Sequence, residues 1–210
     1  MHAPWLLLQL SDAAFPAGGF AHSAGLEASL ALRPGLTVAR FVDETLEQAA
    51  HMALPFVRAA AAVGFPGLGS LDETCDATMT NHVSNRASRA QGRAMRLAAT
   101  HVWELPELAS YGGPSHHAPV FGALFAALEV EGADFAFLHA TLRGVLSAAV
   151  RLGALGPMEA QRVQASAATR LDTLLAASAR LSPPDATQTS PLLDLFGALH
   201  DTLDGRLFQS

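Results

Sequence analysis

From Thr37 onward, apolar side chains at Phe41, Val42, Leu46, Ala49, Ala53, Phe56, Val57 and Ala60 recur at helical spacing. Phe135, Leu138, Leu142, Val145, Ala149 and Leu152 repeat the pattern further on. Such a stripe buries one side of a helix and does not suit a strand, whose side chains change face at every residue. No stretch of useful length alternates in the strand manner, and no repeat of fixed period is evident. Composition agrees: 42 alanines, no isoleucine and little Val, Thr, Tyr or Trp favour helix and leave few residues for a half-buried sheet. With 50% hydrophobic and 15% charged residues in 210, the chain has material for one sizeable core. The expected fold is all-α, a single-domain helical bundle of about eight to ten helices.

Breakers divide the chain. A short helix around Pro4 to Leu10 meets the stretch Ser11 to Phe20, and helix restarts near His22. Thr37 reads as an N-cap, Gly64-Phe65-Pro66-Gly67 as a stop, and Pro55 as a kink between them. Asp72 is placed to cap a run that continues through Leu97 to about Glu104, before Pro106 and the loop at Gly112-Gly113-Pro114-Ser115. The amphipathic helix after Gly132 carries Arg143, Ser147 and Arg151 on its polar side. Gly153 and Gly156-Pro157 mark a stop and a restart, and helix then runs to about Leu181. Residues 1–181 therefore form the bundle, 182–191 a flexible linker rich in Pro and Ser, and 192–210 a docking tail belonging to the same domain.

All 13 basic residues are arginine. Without lysine, a phosphate-loop NTPase, a Schiff-base enzyme or a pyridoxal enzyme lacks the group at its reacting centre. A net charge of −6 gives no general attraction to nucleic acid. The single Cys75 and the start Met1-His2-Ala3-Pro4, which lacks a basic leader, fit a reducing intracellular compartment. Leu108 to Leu128 is uncharged, but Gly, Pro and His residues interrupt it, so it reads as a loop entering a helix and not as a membrane span.

Signs of catalysis are sparse. No G-x-S-x-G elbow, dinucleotide fingerprint or H-E-x-x-H motif is present. Glu47 and His51 stand four apart on a helix and are able to share a metal, although an ion pair or a hydrogen-bonded histidine is the plainer reading. The adjacent His116 and His117 are metal-ligand types, yet neighbours in sequence point apart, and Ser115 with Pro119 suggests capping and loop packing. A helical metal-dependent enzyme using these four residues is the rival to the reading developed below.

Arg86, Arg89, Arg93 and Arg96 fall within about 80° on one side of a helix, with His82 beside them. Two readings stand open: a solvated face paired with acids elsewhere in the chain, or a face that meets a partner's carboxylates.

Five blocks of sequence resemble the UreF family of urease accessory proteins. They are the opening Leu7 to Glu27, with Phe15-Pro16-Ala17-Gly18-Gly19-Phe20 at its centre; Asn85 to Ala94; His117 to Gly122; Leu142 to Gly153; and Arg206 to Ser210. At the last, Asp204-Gly205 stands where the family often has an aromatic residue. The resemblance implies a non-catalytic, all-helical, cytoplasmic homodimer with no cofactor, no membrane and no nucleic acid. It also implies binding to UreD (also called UreH) and recruitment of the nickel-carrying GTPase UreG, so that nickel reaches apo-urease. On that footing the partner-binding residues are expected to be Phe15, Pro16, Gly18, Gly19 and Phe20, as an exposed anchor or else a cap on the core. The stripe Arg86, Arg89 and Arg93 joins them. In a tail held loosely until UreD orders it, Arg206 is the charged anchor, Leu207 and Phe208 fill a groove, and His200 is a further candidate. Glu27 either stabilises its own helix start or faces the GTPase.

Overall fold

A computed structural model describes residues 3–12 and 15–210, so that Ala13 and Ala14 of the opening motif, with Met1 and His2, lie outside the described residues. Helix α1 (Ala3–Ser11) buries Leu6 and Leu10, and α2 (Leu26–Leu32) begins four residues later than the expected restart at His22. The Thr37 hydroxyl accepts the Arg40 N–H and caps α3 (Val38–Gln48). A π-helical turn (Ala49–Ala53) joins α3 to α4 (Leu54–Val63). After them come α5 (Leu68–Thr78), α6 (His82–Trp103), the short α7 (Pro106–Ala109), α8 (His117–Ala127) and α9 (Ala133–Arg151). The chain ends with α10 (Pro157–Ser166), α11 (Ala168–Ser178) and α12 (Pro191–Ala198). Counting α3 to α4 as one continuous helix, the described residues hold ten helices of seven or more residues plus α7, and no strand. The bundle is all-α, as the periodicity predicts. None of these helices is long and apolar enough to cross a membrane.

Pro55 does not break the chain. The proline has no N–H to return to the His51 carbonyl, and that carbonyl instead accepts the Thr187 N–H at 3.3 Å. The group freed by proline thus ties residue 187 to the body. Nearby, the Ser190 N–H bonds to Gln48 Oε1 at 3.0 Å, and the Ser182 N–H and hydroxyl both donate to the Asp185 carboxylate.

Asp72 requires a correction. It lies inside α5, fully buried, and does not start that helix. Its carboxylate accepts the Tyr111 hydroxyl at 2.6 Å and the N–H groups of Ser115 and His116 at 2.6 and 2.7 Å. It therefore fixes the two residues just before α8, at the positive helix end that favours a negative charge, while the His117 N–H of that helix bonds to Ser88 Oγ. The expected single run from Asp72 to Glu104 is in fact two helices, because Asn81 accepts the Val83 and Ser84 N–H groups and starts α6 afresh.

Helix α8 is the centre of the core, with every residue from Ala118 to Phe125 buried. A helix apolar on all sides needs neighbours all round. α4 lies closest: a Cβ on Gly122 would sit 2.1 Å from the Val57 carbonyl oxygen, so only glycine permits this approach. Phe121 stacks on Phe125 at 4.8 Å and meets Phe137 of α9 edge-on at 5.3 Å.

Candidate interaction site

Part of the sequence-predicted set, Glu27, His200, Leu207 and Phe208, converges around the chain's last turn. Glu27 sits in the first turn of α2, following Gly25, whose φ of 84° is a left-handed conformation suited to glycine. A Cβ on Gly25 would lie 3.4 Å from the Gly197 Cα, so α12 rests directly on this corner. From there the chain returns past Glu27. Glu27 Oε1 accepts the Leu207 N–H at 2.6 Å, Oε2 accepts the Phe208 N–H at 3.1 Å, and Oε2 also lies 3.1 Å from His200 Nε2. Burial pushes the Glu27 carboxyl up, but the hydrogen bonds from Leu207, His200 and Phe208 together outweigh it and hold the group below the ordinary carboxylate range.

The contacts continue to the last residue. The Gln209 N–H bonds to the Ala21 carbonyl at 2.8 Å, and the Ser23 N–H and hydroxyl both donate to the Ser210 carbonyl, at 2.6 and 2.7 Å. His22 Nδ1 lies 2.7 Å from Ser210 Oγ. Burial first, then the charges of Arg86 and His200, lower the His22 pKa. In place of a loosely held tail, residues 207–210 are hydrogen-bonded to the 21–27 corner.

Arg151, at the end of α9, stands between two rings. Its guanidinium carbon is 3.6 Å from the Phe20 ring centre and 4.3 Å from that of Phe208, and it donates to the Phe20 carbonyl. This cation–π contact joins the opening motif to the tail.

The two rings of the opening motif part company. Phe15 is buried and stacks on Trp103 at 5.6 Å, so it belongs to the core, whereas Phe20 is 69% exposed. Pro16, Gly18 and Gly19 form the exposed turn between them, with Gly18 at a φ of 73°. The tail pair divides likewise: Phe208 is buried under Arg151 and Leu207 is 53% exposed.

The arginine stripe divides too. Arg86 grips Asp201 through two bonds, at 3.0 and 2.8 Å, and Arg206 bonds to the same carboxylate at 3.0 Å. Led by the Arg86 bonds, these charges hold the Asp201 carboxyl low. Arg89 lies 3.7 Å from Asp76, Arg96 donates to the carbonyls of Leu108 and Ala109, and Arg93 is exposed. His200 is buried, with Nε2 facing Glu27 and Nδ1 lacking a hydrogen-bond partner among the described residues.

The rival metal set does not converge. His51 Nδ1 bonds to the Glu47 carbonyl at 2.9 Å, and the Glu47 carboxylate is taken by Arg170. The fully buried His116 ring bridges Ser88 Oγ at 3.1 Å and Asp76 Oδ1 at 2.9 Å. Bonds from Asn85 first, then His116, lower the Asp76 pKa against its burial. His117 packs against Phe121 and Phe137, and burial with the His22 charge pushes its pKa down to about 4. Among the described residues no group of three or more His, Cys, Asp or Glu side chains is placed to hold a metal ion.

Sequence reasoning missed Arg151 as the link between motif and tail, and Asp201 as the acid that takes Arg86. The Arg151 position on the polar side of α9 was a usable signal; nothing local to Asp201 marks its partner, 115 residues away.

Fold and site define an all-helical protein whose opening motif, arginine helix and C-terminal turn form one composite surface. The UreF family model matches residues 34–168. The urease accessory protein F of Arabidopsis thaliana is 40% identical, covering 98% of this chain and 92% of the relative. That of Oryza sativa subsp. japonica is 35% identical over 99% and 85%. UreF of Rhodopseudomonas palustris (strain BisA53) is 29% identical over 99% and 93%. The chain belongs to the UreF family.

Proposed function

We propose that this chain is a non-catalytic, cytoplasmic scaffold of urease maturation. As a homodimer it binds UreD/UreH and recruits the GTPase UreG, so that nickel is delivered to apo-urease. Its relatives carry the name of urease accessory protein, which supports the general role. The observation that carries the finer reading is the Glu27 clamp, which buries Phe208 while leaving Leu207 outward. The surface offers Phe20 as an apolar anchor and Arg93 as an exposed cation for a partner's carboxylates, while Arg86 and Arg206 hold the chain's own Asp201. Helix α12 adds a second apolar element. Leu192, Leu195 and Leu199 are 45%, 55% and 38% exposed along one helical side, while Leu193 faces the core. Such a stripe suits the groove of another polypeptide.

Mixing the purified chain with UreD and then UreG, followed by size-exclusion chromatography, tests this reading. Co-elution of all three supports it. Separate elution of the folded chain from UreD refutes it.

A further inference from the structure

A cavity of about 210 Å³ is lined jointly by α12 and the body of the bundle. Leu193 and Asp194 of α12 face it together with Thr45 and Gln48 of α3, Met52 of the π-helical turn and Phe137 of α9. Gln48 Nε2 donates to Asp194 Oδ1 at 3.1 Å, and Asn81 Nδ2 donates to the Asp194 carbonyl at 2.8 Å. The carboxylate is thereby held against α3, where Thr45 stands one turn before Gln48.

Two oxygens of this cavity stay unsatisfied. Asp194 Oδ2 and Thr45 Oγ1 are buried without a hydrogen-bond partner among the described residues, and no other side chain of the lining holds such an atom. Thr45 as a whole is only 8% exposed. A buried acceptor without a donor is costly, and a charged one more so. No arginine lines the cavity, and its one histidine, His117, is neutral at pH 7 with a pKa pushed down to about 4. Asp194 is therefore the only charged side chain in the lining, and burial pushes its carboxyl up against the hydrogen bonding of Gln48 and Asn81. The remaining polar side chains, among them Gln91, Thr141 and Ser210, are neutral.

A cation that carries its own hydrogens completes such a site. Calcium-like ions ask for about six to eight oxygens, and among the described residues no three His, Cys, Asp or Glu side chains are placed to hold a metal. A primary ammonium brings three N–H donors on one charge, and an alkyl group attached to it suits walls of Met52, Phe137 and Leu193. We propose that this cavity binds a small primary alkylammonium ion, its head group donating to Asp194 Oδ2 and Thr45 Oγ1. The assignment does not rest on the partner surface proposed above, and the isolated chain suffices to test it.

Calorimetric titration of the full chain at pH 7 with pentylamine, pentanol and pentanoate compares a cationic, a neutral and an anionic head on one alkyl group. The expected result is saturable one-to-one binding of pentylamine, at least about tenfold tighter than the alcohol or the acid. Asp194→Asn keeps the side-chain shape and an acceptor for Gln48 but removes the charge. It should weaken pentylamine about tenfold or more and leave pentanol within about twofold. Thr45→Val removes a hydroxyl that has no partner to lose, so the thermal midpoint should be kept or raised while pentylamine weakens about threefold or more. This second arm decides the matter alone if Asp194→Asn fails to fold. The proposal is overturned by non-saturable uptake, by pentylamine binding no tighter than pentanol, or by unchanged pentylamine affinity in either folded variant.

Discussion

Glu27 accepts the backbone N–H of Leu207 at 2.6 Å across 180 residues of sequence, and so fixes the chain's end to the start of α2. The same carboxylate accepts the Phe208 N–H and faces His200, so one side chain holds residues 207 and 208 while Ala21, His22 and Ser23 hold 209 and 210. The position of residues 207 and 208 is therefore set by a charge on the body.

Glu27→Ala should release that turn. Hydrogen bonds to a charged acceptor contribute about 1.5–3 kcal/mol each in mutational comparisons, so loss of the clamp should remove most amide-exchange protection at Leu207 and Phe208. Hydrogen exchange followed by mass spectrometry measures this. Unchanged protection would show that the Arg151 contacts and the bonds with Ala21, His22 and Ser23 hold the tail without Glu27.

Two glycines should respond oppositely to alanine. Gly122→Ala drives a methyl group into the Val57 carbonyl and Ala61 backbone nitrogen, neither of which is able to move aside cheaply, and should cost about 3 kcal/mol or more or prevent folding. Gly144→Ala places its methyl in open space within a helix and should stabilise by about 0.5–1 kcal/mol. Urea unfolding midpoints give both values.

Stability should fall as the solution is acidified through the histidine range. His117 has a pKa of about 4 in the folded protein against 6.5 when unperturbed, so between these values the unfolded chain binds the extra proton. Its contribution is fully present above pH 6.5 and is lost progressively toward pH 4. Comparing unfolding midpoints at pH 7 and pH 5 for the wild type and His117→Gln tests this, the variant being expected to show the shallower dependence.

Arg151→Lys should not substitute for arginine. The guanidinium faces two rings and a carbonyl at once, whereas an ammonium is a compact, strongly hydrated point charge. The expected result is weaker protection of Phe208 in exchange experiments for Lys and Ala variants alike. Full protection in the lysine variant would contradict the stacked geometry.

Local rules made several elements legible in the sequence. The Thr37 cap, the stop at Gly64, the α9 stripe from Leu138 to Ala149 and the restart at Gly156-Pro157 all depend on residues within a turn or two of each other, whereas Phe135, expected on the same buried side of α9, is exposed. What escaped is non-local. Asp72 carries the composition signal of a cap but binds the backbone of Ser115 and His116, 43 and 44 residues further on and just before α8. Phe15 and Phe20 are chemically alike five positions apart, and it is Phe15 that packs into the core, stacked on Trp103. The arginine stripe lies on one side of its helix as the 100° step requires, yet Arg86 is spent on the chain's own Asp201 while Arg93 stays exposed. Helical spacing fixes which side chains share a face, and the partner of that face is decided by tertiary packing.

Leu207→Asp offers the most direct measurement of the central claim. The substitution leaves the Glu27-bonded backbone, the buried Phe208 and the core in place, and changes only an outward side chain at the middle of the composite surface. In size-exclusion chromatography with UreD and UreG, the wild-type chain should elute in one complex and the Leu207→Asp chain should elute apart from UreD with its helicity unchanged. An equally stable complex with the variant would contradict the assignment of this surface.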